Sequence, residues 1–377
     1  MVSSQMAGAD DRCLYLLSSN ASSEYVKDIV EVLALPFNCV QHFRYQLKWL
    51  DPDLLDLIVH QRSTVSGPMV GCKVVVCYLF QTLTKENGVE SYHWESIYPV
   101  RSGILEEAIK TGDSPVDVAH FYFKVDQYLQ YDKEAIDKIM NQLENHRDRH
   151  YAFQETIPVD VRMAALEESQ TAFYETCELI DANHLRLCRD DQFIAPVFCY
   201  IGRIKSSKGI AIEPVYDQNR RKSNYQLSEG SAYYFEFETY LTTDKLTPTI
   251  RLETDSNIFS TPSSELKASS RYDKETWTLV SKLLECDAWT NLSFYTESNS
   301  SDPDIKPLDI DIEFTIKICR RMLFRYLGVS ADFAFALGTT VLVIAKLVPT
   351  WTWWWLPVFV LFPIWAVCGI VAKLWRG

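Results

Sequence analysis

The sequence predicts an α+β protein: an N-terminal α/β or α+β domain, a helical connector, a β-sandwich-like domain and a C-terminal transmembrane helical hairpin. Three observations predict it. Apolar runs alternate with helical-period segments up to about residue 130; short strands between Gly, Ser, Asn and Pro clusters dominate from Gln192 onward; and nearly every residue from Asp332 to Trp375 is apolar. The expected units are 1–130 (N-terminal cytosolic domain), 131–190 (connector), 191–319 (sandwich-like domain) and 320–377 (an amphipathic segment and two transmembrane helices).

In the first unit, Cys13 to Leu17 reads as a short apolar strand. Val26, Ile29, Val30 and Leu33 set a helical period over Glu24 to Leu35 that Pro36 ends. Phe43 to Trp49 alternates as a strand, and Asp51-Pro52 opens a short helix with proline in its first turn. Lys73 to Phe80 is nearly continuous in apolar residues, as in a strand buried on both faces, and His120 to Val125 is another strand.

Lys133 to His150 reads as a long helix with Ile136, Ile139, Met140 and Leu143 on one face, and Pro158 to Ile180 as a second, together a helical connector. The texture then turns to strands: Phe193 to Ile204, Ile210 to Tyr216, Tyr233 to Leu241, Thr249 to Thr254, Trp277 to Leu284 and Asn291 to Thr296, with a long polar loop from Thr261 to Glu275. Leu308 to Ile318 alternates apolar and polar without a break, the period of a strand with one wet face.

The C-terminal spans are Phe333 to Val348 and Leu356 to Ala372. Both are a little short of the ~20 residues that cross a bilayer. Trp351, Trp353, Trp354 and Trp355 after Pro349 suit a membrane interface, and Arg320, Arg321 and Arg325 before the first span and Lys373 and Arg376 after the second orient both ends to the cytoplasm. Asp332, Thr339 and Lys346 recur every seven residues, drifting only ~20° per step around a helix. Ala334 and Gly338 are one turn apart, a small pair that permits close helix packing. Two readings of the polar stripe stand side by side: interfacial anchors, or the lining of a pore built from several copies.

The chain carries −13 at neutral pH; residues 326–377 sum to +2, which leaves −15 on the remainder, a body that repels nucleic acid and anionic lipid on average. No basic leader precedes an apolar run at the N-terminus, and the ten cysteines lack framework spacing, as expected of reduced thiols in the cytosol. Asn20-Ala21-Ser22 and Asn291-Leu292-Ser293 match glycosylation acceptors, a triplet without meaning on the cytosolic side.

No phosphate-binding glycine loop, paired-cysteine motif or nucleophile elbow is present. His146 and His150 share a helical face, but Arg147-Asp148-Arg149 between them lacks the glutamate of the zinc-peptidase motif, so the pair reads as a solvated helix end. No catalytic residue, metal ligand or cofactor is assigned, and the protein is expected not to be an enzyme. Arg203, Lys205 and Lys208 in one turn and Arg220, Arg221 and Lys222 in another would form a cationic rim if the two turns share an end of the sandwich; a nucleotide or oligonucleotide is the ligand such a rim would take, with Tyr225, Tyr216 or His184 for stacking. The opposing reading is two solvated turns. Arg44 and Arg101, set among aromatic residues, read as semi-buried structural arginines.

In outline, a large cytosolic body ending in a short membrane hairpin resembles the transmembrane effectors of prokaryotic anti-phage systems. That resemblance implies a homo-oligomeric effector or ion channel at the inner membrane, whose cytosolic domains sense a ligand or regulatory protein and gate a pore lined by the first span. The alternative is a membrane-anchored adaptor or scaffold that does not conduct. A membrane-tethered enzyme is a third class, requiring an active site assembled by folding.

Overall fold

The run Arg12–Ser19 is buried at every position after Arg12, which only a central strand with both faces covered can satisfy. It is β1 of a computed structural model that describes residues 12–320, apart from 62–66, 87, 132, 157–161, 164–168, 183–184, 190–191, 262–264, 269 and 285. The elements that follow are α1 (Ser23–Ala34), β2 (Val40–Gln46), α2 (Pro52–Leu55), β3 (Val59–His60), β4 (Lys73–Glu86), β5 (Val89–Lys110), β6 (Val118–Gln130), α3 (Lys133–Gln142), β7 (Ala152–Thr156), β8 (Arg162–Met163) and α4 (Ser169–Ala182). The strands form one sheet in the order β2-β6-β5-β4-β1-β7, with β3 on β5 and β8 on β6. β1 is parallel to β4 and antiparallel to β7.

Alternation along β1 divides the core. Leu14 and Leu16 face α1 and the rest of the molecule, while Cys13, Tyr15 and Leu17 join Ala135, Ile139 and Leu143 of the α3 region on the other face. α1 starts at Ser22, whose side chain accepts from Glu24 N, and ends before Pro36. Its last carbonyls, which lack helical partners, are taken by buried side chains: Arg101 Nη1 donates to Val32 O at 3.0 Å and Leu35 O at 2.6 Å, and Tyr128 Oη donates to Leu33 O.

Past α4 come β9 (Phe193–Ile201), β10 (Lys205–Ser206), β11 (Val215–Asp217), β12 (Lys222–Ser228), β13 (Ala232–Leu241), β14 (Leu246–Thr254), β15 (Phe259–Ser260), β16 (Glu265–Lys267), β17 (Tyr272–Ser281), β18 (Ala288–Ser300), β19 (Ile305–Leu308) and β20 (Asp311–Cys319). They form two six-stranded sheets, β15-β17-β13-β9-β19 with β10 on β13, and β11-β12-β20-β18-β14-β16. Phe235, Phe237 and Trp277 of the first meet Phe294 of the second at ring-centroid distances of 5.3, 6.0 and 5.7 Å. One hydrophobic cluster runs from β1 and α1 through Phe173 of α4 into this core.

Strands therefore dominate the described residues, which overturns the expectation of an α+β protein with a helical connector. Residues 131–190 hold α3 and α4 but also β7 and β8. The helix expected over Lys133 to His150 stops at Gln142 because the next turns are held sideways on β5: Arg147 Nη2 donates to Trp94 O at 2.8 Å, Asp148 Oδ1 accepts from Trp94 N at 2.7 Å, and Asp148 takes a left-handed φ of 60°.

The membrane placement is corrected as well. The four α-helices of the described residues are 12, 4, 10 and 14 residues long. All are below the ~20 residues a bilayer demands, and none is long and apolar enough to cross a membrane. The expectation of a multi-pass inner-membrane protein and ion channel with a C-terminal transmembrane hairpin has no helix among the described residues to rest on and is withdrawn. Asp332, Thr339, Lys346, Ala334, Gly338, Arg321, Arg325, Trp351, Trp353, Trp354 and Trp355, assigned to that hairpin, lie outside the described residues. Arg320 is the last described residue, its backbone N donating to Asp287 Oδ1 at 3.0 Å.

Candidate metal centre

The six basic residues of the expected rim sit in different settings. Lys205 lies on β10, paired with Tyr234 of β13, whereas Lys222 begins β12 in the opposite sheet. Arg203 is bonded to Glu213 at 2.8 Å, Arg221 to Glu107 at 2.9 Å, Lys222 to Glu313 at 3.3 Å, and Arg220 lies 3.7 Å from Asp217. Arg220 and Arg203 also stack over Trp289 and Phe37 at 4.1 and 4.4 Å. Lys205 is half-buried, and Lys208 is exposed. Of the stacking partners, Tyr225 is buried against Cys39, Tyr216 bonds Glu107, and His184 lies outside the described residues. Four of the six cations are thus paired to carboxylates.

A different set of side chains converges at the edge of the first sheet. Leu50 is extended (φ −96°, ψ 149°) and forms a parallel bridge with Ala152. Tyr151 N donates to Trp49 O at 2.7 Å and Asp51 N to Ala152 O at 3.0 Å, so residues 49–51 are fixed beside the entry to β7. Asp51 divides its carboxylate: Oδ1 accepts from Asp53 N at 3.0 Å and caps α2, and Oδ2 lies 3.2 Å from His146 Nδ1. The turn clamped by Arg147 and Asp148 brings His150 to the same place, its Nδ1 3.4 Å from His146 Nδ1.

His146 is not a solvated helix end; it is 8% exposed and lies flat on Phe153, centroids 4.1 Å apart and planes within 6°. Phe153 stacks in turn on Tyr15 at 5.4 Å. Glu155, two residues further along β7, places Oε2 3.9 Å from His146 Nε2 on the far side of the ring. Burial holds the His146 imidazole below its ordinary range; Asp51 and Glu155 oppose that shift and His150 adds to it. A neutral imidazole is the form that ligates metals.

Asp51, His146 and His150 each offer one ligand atom within 4.8 Å of the other two. A proton shared among three lone-pair atoms bridges only two of them, whereas a cation satisfies all three. With metal–ligand bonds near 2.0 Å, the edge of a tetrahedron is ~3.3 Å, and the two resolved edges are 3.2 and 3.4 Å. Two imidazoles and one carboxylate suit a first-row divalent ion.

The sequence carried two of the three residues, through the four-residue spacing of His146 and His150. Asp51 gave only the signal of a helix cap before Pro52, and no spacing rule links it to a histidine 95 positions away. No protein-family model matches the chain, and no curated protein matches it.

Proposed function

We propose that this is a metal-binding protein, with a divalent ion, zinc foremost, held by Asp51, His146 and His150 at the edge of the first sheet. The observation that carries the reading is the agreement between the donor spacings, 3.2 and 3.4 Å, and the edge of a tetrahedral site. Three protein donors leave a position for an oxygen from water or from an exogenous ligand, the arrangement of a reactive or binding site rather than a closed structural one. The side chains of His146 and Asp51 are 11% and 18% exposed, enough for exchange with solvent at the rim. The ion would also join two chain segments distant in sequence, the one holding Asp51 and the turn holding His146 and His150, so occupancy is coupled to folding of the α3–β7 turn.

Titration of the metal-free protein with Zn(II) by calorimetry, and with Co(II) by visible absorption, tests this. One ion per chain, with the intense d–d bands of a tetrahedral site, is expected for the native protein and neither for His150→Ala. Absence of stoichiometric binding in the folded native protein would reject the reading.

A further inference from the structure

Beside the three ligands the chain places two groups that the metal alone does not require. Trp49 is 39% exposed although it lies in the stretch that positions Asp51. Its neighbour Lys48 holds Nζ 5.0 Å from the centre of the indole. Trp49 closes the short helical turn Leu47–Trp49, and only the extended, 3% exposed Leu50 separates it from Asp51. The Trp49 ring touches Tyr151, the residue after His150, with centroids 5.6 Å apart and planes at 79°. Indole and ammonium thus lie next to both ligand-bearing segments, two and three residues before Asp51 and, through Tyr151, against the residue that follows His150.

The platform is held from both sides. Leu47 N and Lys48 N donate to Asp117 O at 2.9 Å and Pro115 O at 3.1 Å, while Trp49 O accepts from Tyr151 N at 2.7 Å. Tyr151 Oη is itself tied to Gln81 Oε1 at 2.9 Å. A large apolar ring kept in water by a pinned backbone is available to a partner ring at little ordering cost. Among the described residues no carboxylate is paired with Lys48, whose stem is long enough to swing its charge off the indole.

Resting on the metal reading above, we propose that this rim binds an oxyanion carried on a planar ring, an aromatic phosphate or carboxylate: the oxyanion fills the open position of the ion and is met by Lys48, and the ring stacks on Trp49. Each element answers a part of that ligand. The ion takes a hard oxygen donor, the ammonium balances its charge, and the indole face supplies stacking.

The test uses the full chain loaded with Zn(II) and four probes: inorganic phosphate, phenyl phosphate, acetate and benzoate. Zn(II) binding is measured first without any oxyanion, and its absence in the native protein overturns the metal reading and the subsite together. With Zn(II) bound, phenyl phosphate or benzoate should bind about tenfold or more tighter than its ringless counterpart, the scale of aromatic stacking; the larger gain identifies the oxyanion. Trp49→Ala should erase the ring preference while leaving Zn(II) and inorganic phosphate unaffected, Trp49→Phe should keep part of it, and Lys48→Gln should weaken every oxyanion probe several-fold. Equal affinities for ringed and ringless probes, or a ring preference that survives in Trp49→Ala, overturns the subsite and leaves the metal centre standing.

Discussion

Arg221 donates Nε and Nη2 to the two carboxylate oxygens of Glu107 at 2.9 and 3.3 Å, joining the β11–β12 turn to β5 of the first sheet. Arg221 makes this reach from a left-handed φ of 53°, a conformation that costs a non-glycine residue ~1–2 kcal/mol. The junction has further ties: Val40 N donates to Ser223 Oγ at 2.7 Å, and Asn38 Nδ2 to Glu213 Oε2 at 3.0 Å. A two-point ion pair thus ties the sheet to the sandwich from a strained turn residue.

Arg221→Ala and Glu107→Gln should therefore show a coupling of about 1.5 kcal/mol or more in a double-mutant cycle, the range of hydrogen bonds to charged groups. Arg221→Gly loses the same contact but relieves the backbone, so it should be the milder change by ~1 kcal/mol. Urea denaturation of the four variants decides this, and equal damage from Gly and Ala would refute the strain argument.

Arg101 is 2% exposed, and its guanidinium donates to backbone carbonyls: Val32 and Leu35 from Nη1, and Asp126 from Nε and Nη2 at 3.1 and 2.6 Å. It also lies 4.4 Å from the Tyr128 ring centre. Arg101→Leu leaves those acceptors buried and unpaired, and the expected loss is ~3 kcal/mol or more. Arg101→Lys should recover little, since one ammonium cannot span both the α1 terminus and β6. The check is the urea midpoint of each variant at unchanged slope; a Lys variant as stable as native would show that charge alone suffices.

Arg101 illustrates where sequence reading succeeds and where it stops. Its aromatic surroundings marked it as a structural arginine, and it is one; Arg44, chosen on the same signal, has a side chain 72% exposed and only a 3.9 Å contact with Glu24. Local composition reports that an arginine sits among rings but not whether a helix terminus waits above it. β5 escaped the period-2 test for a related reason. Extra residues in its pairing with β4, between Val76/Cys77 and Phe80/Gln81, shift the faces, so alternation never persists long enough to register. His146 looked solvated because the helical period continues on paper past Gln142; the clamp of Arg147 and Asp148 on Trp94 is a tertiary event. Asn20 reads as a glycosylation acceptor, yet it is 1% exposed, with Nδ2 donating to Gln81 O and Arg186 O at 3.0 and 2.8 Å. Contacts between residues far apart in the chain decided each case.

Asp28, on α1, has its carboxyl pushed up to about 7, first by burial and next by the charge of Glu31, against the opposing Arg44 and Lys27. Its folded value exceeds its unfolded value near 3.8, so the folded state binds the extra proton between those limits and stability declines as pH rises through that window. Asp28→Asn should accordingly stabilise the protein at pH 7.5 by roughly 1–2 kcal/mol after allowance for solvent screening. The gain should vanish near pH 4, where the native carboxyl is protonated. Thermal melts of both proteins at the two pH values test this; a gain independent of pH would point to helix propensity instead.

His42 titrates in the opposite sense. Its Nε2 lies 2.9 Å from His120 Nδ1, its ring stacks on Tyr122 at 4.5 Å, and burial, then His120, Arg44 and Arg221, hold its value down from 6.5 to about 4. Above pH 6.5 both folded and unfolded chains carry a neutral ring, and no pH dependence arises from it. Between 6.5 and 4 the unfolded chain takes up a proton that the fold refuses, so stability falls as pH falls, and below about 4 both states are protonated and the slope ends. Removing the imidazole removes that loss: His42→Phe, whose ring preserves the stack on Tyr122, should gain on the native protein steadily from pH 7 to pH 4.5. The difference between the two proteins isolates His42 from Asp28, whose slope is common to both and of opposite sign. Denaturant unfolding at half-unit intervals supplies the curves; if the two run parallel across the window, the imidazole is not the group that the fold keeps neutral.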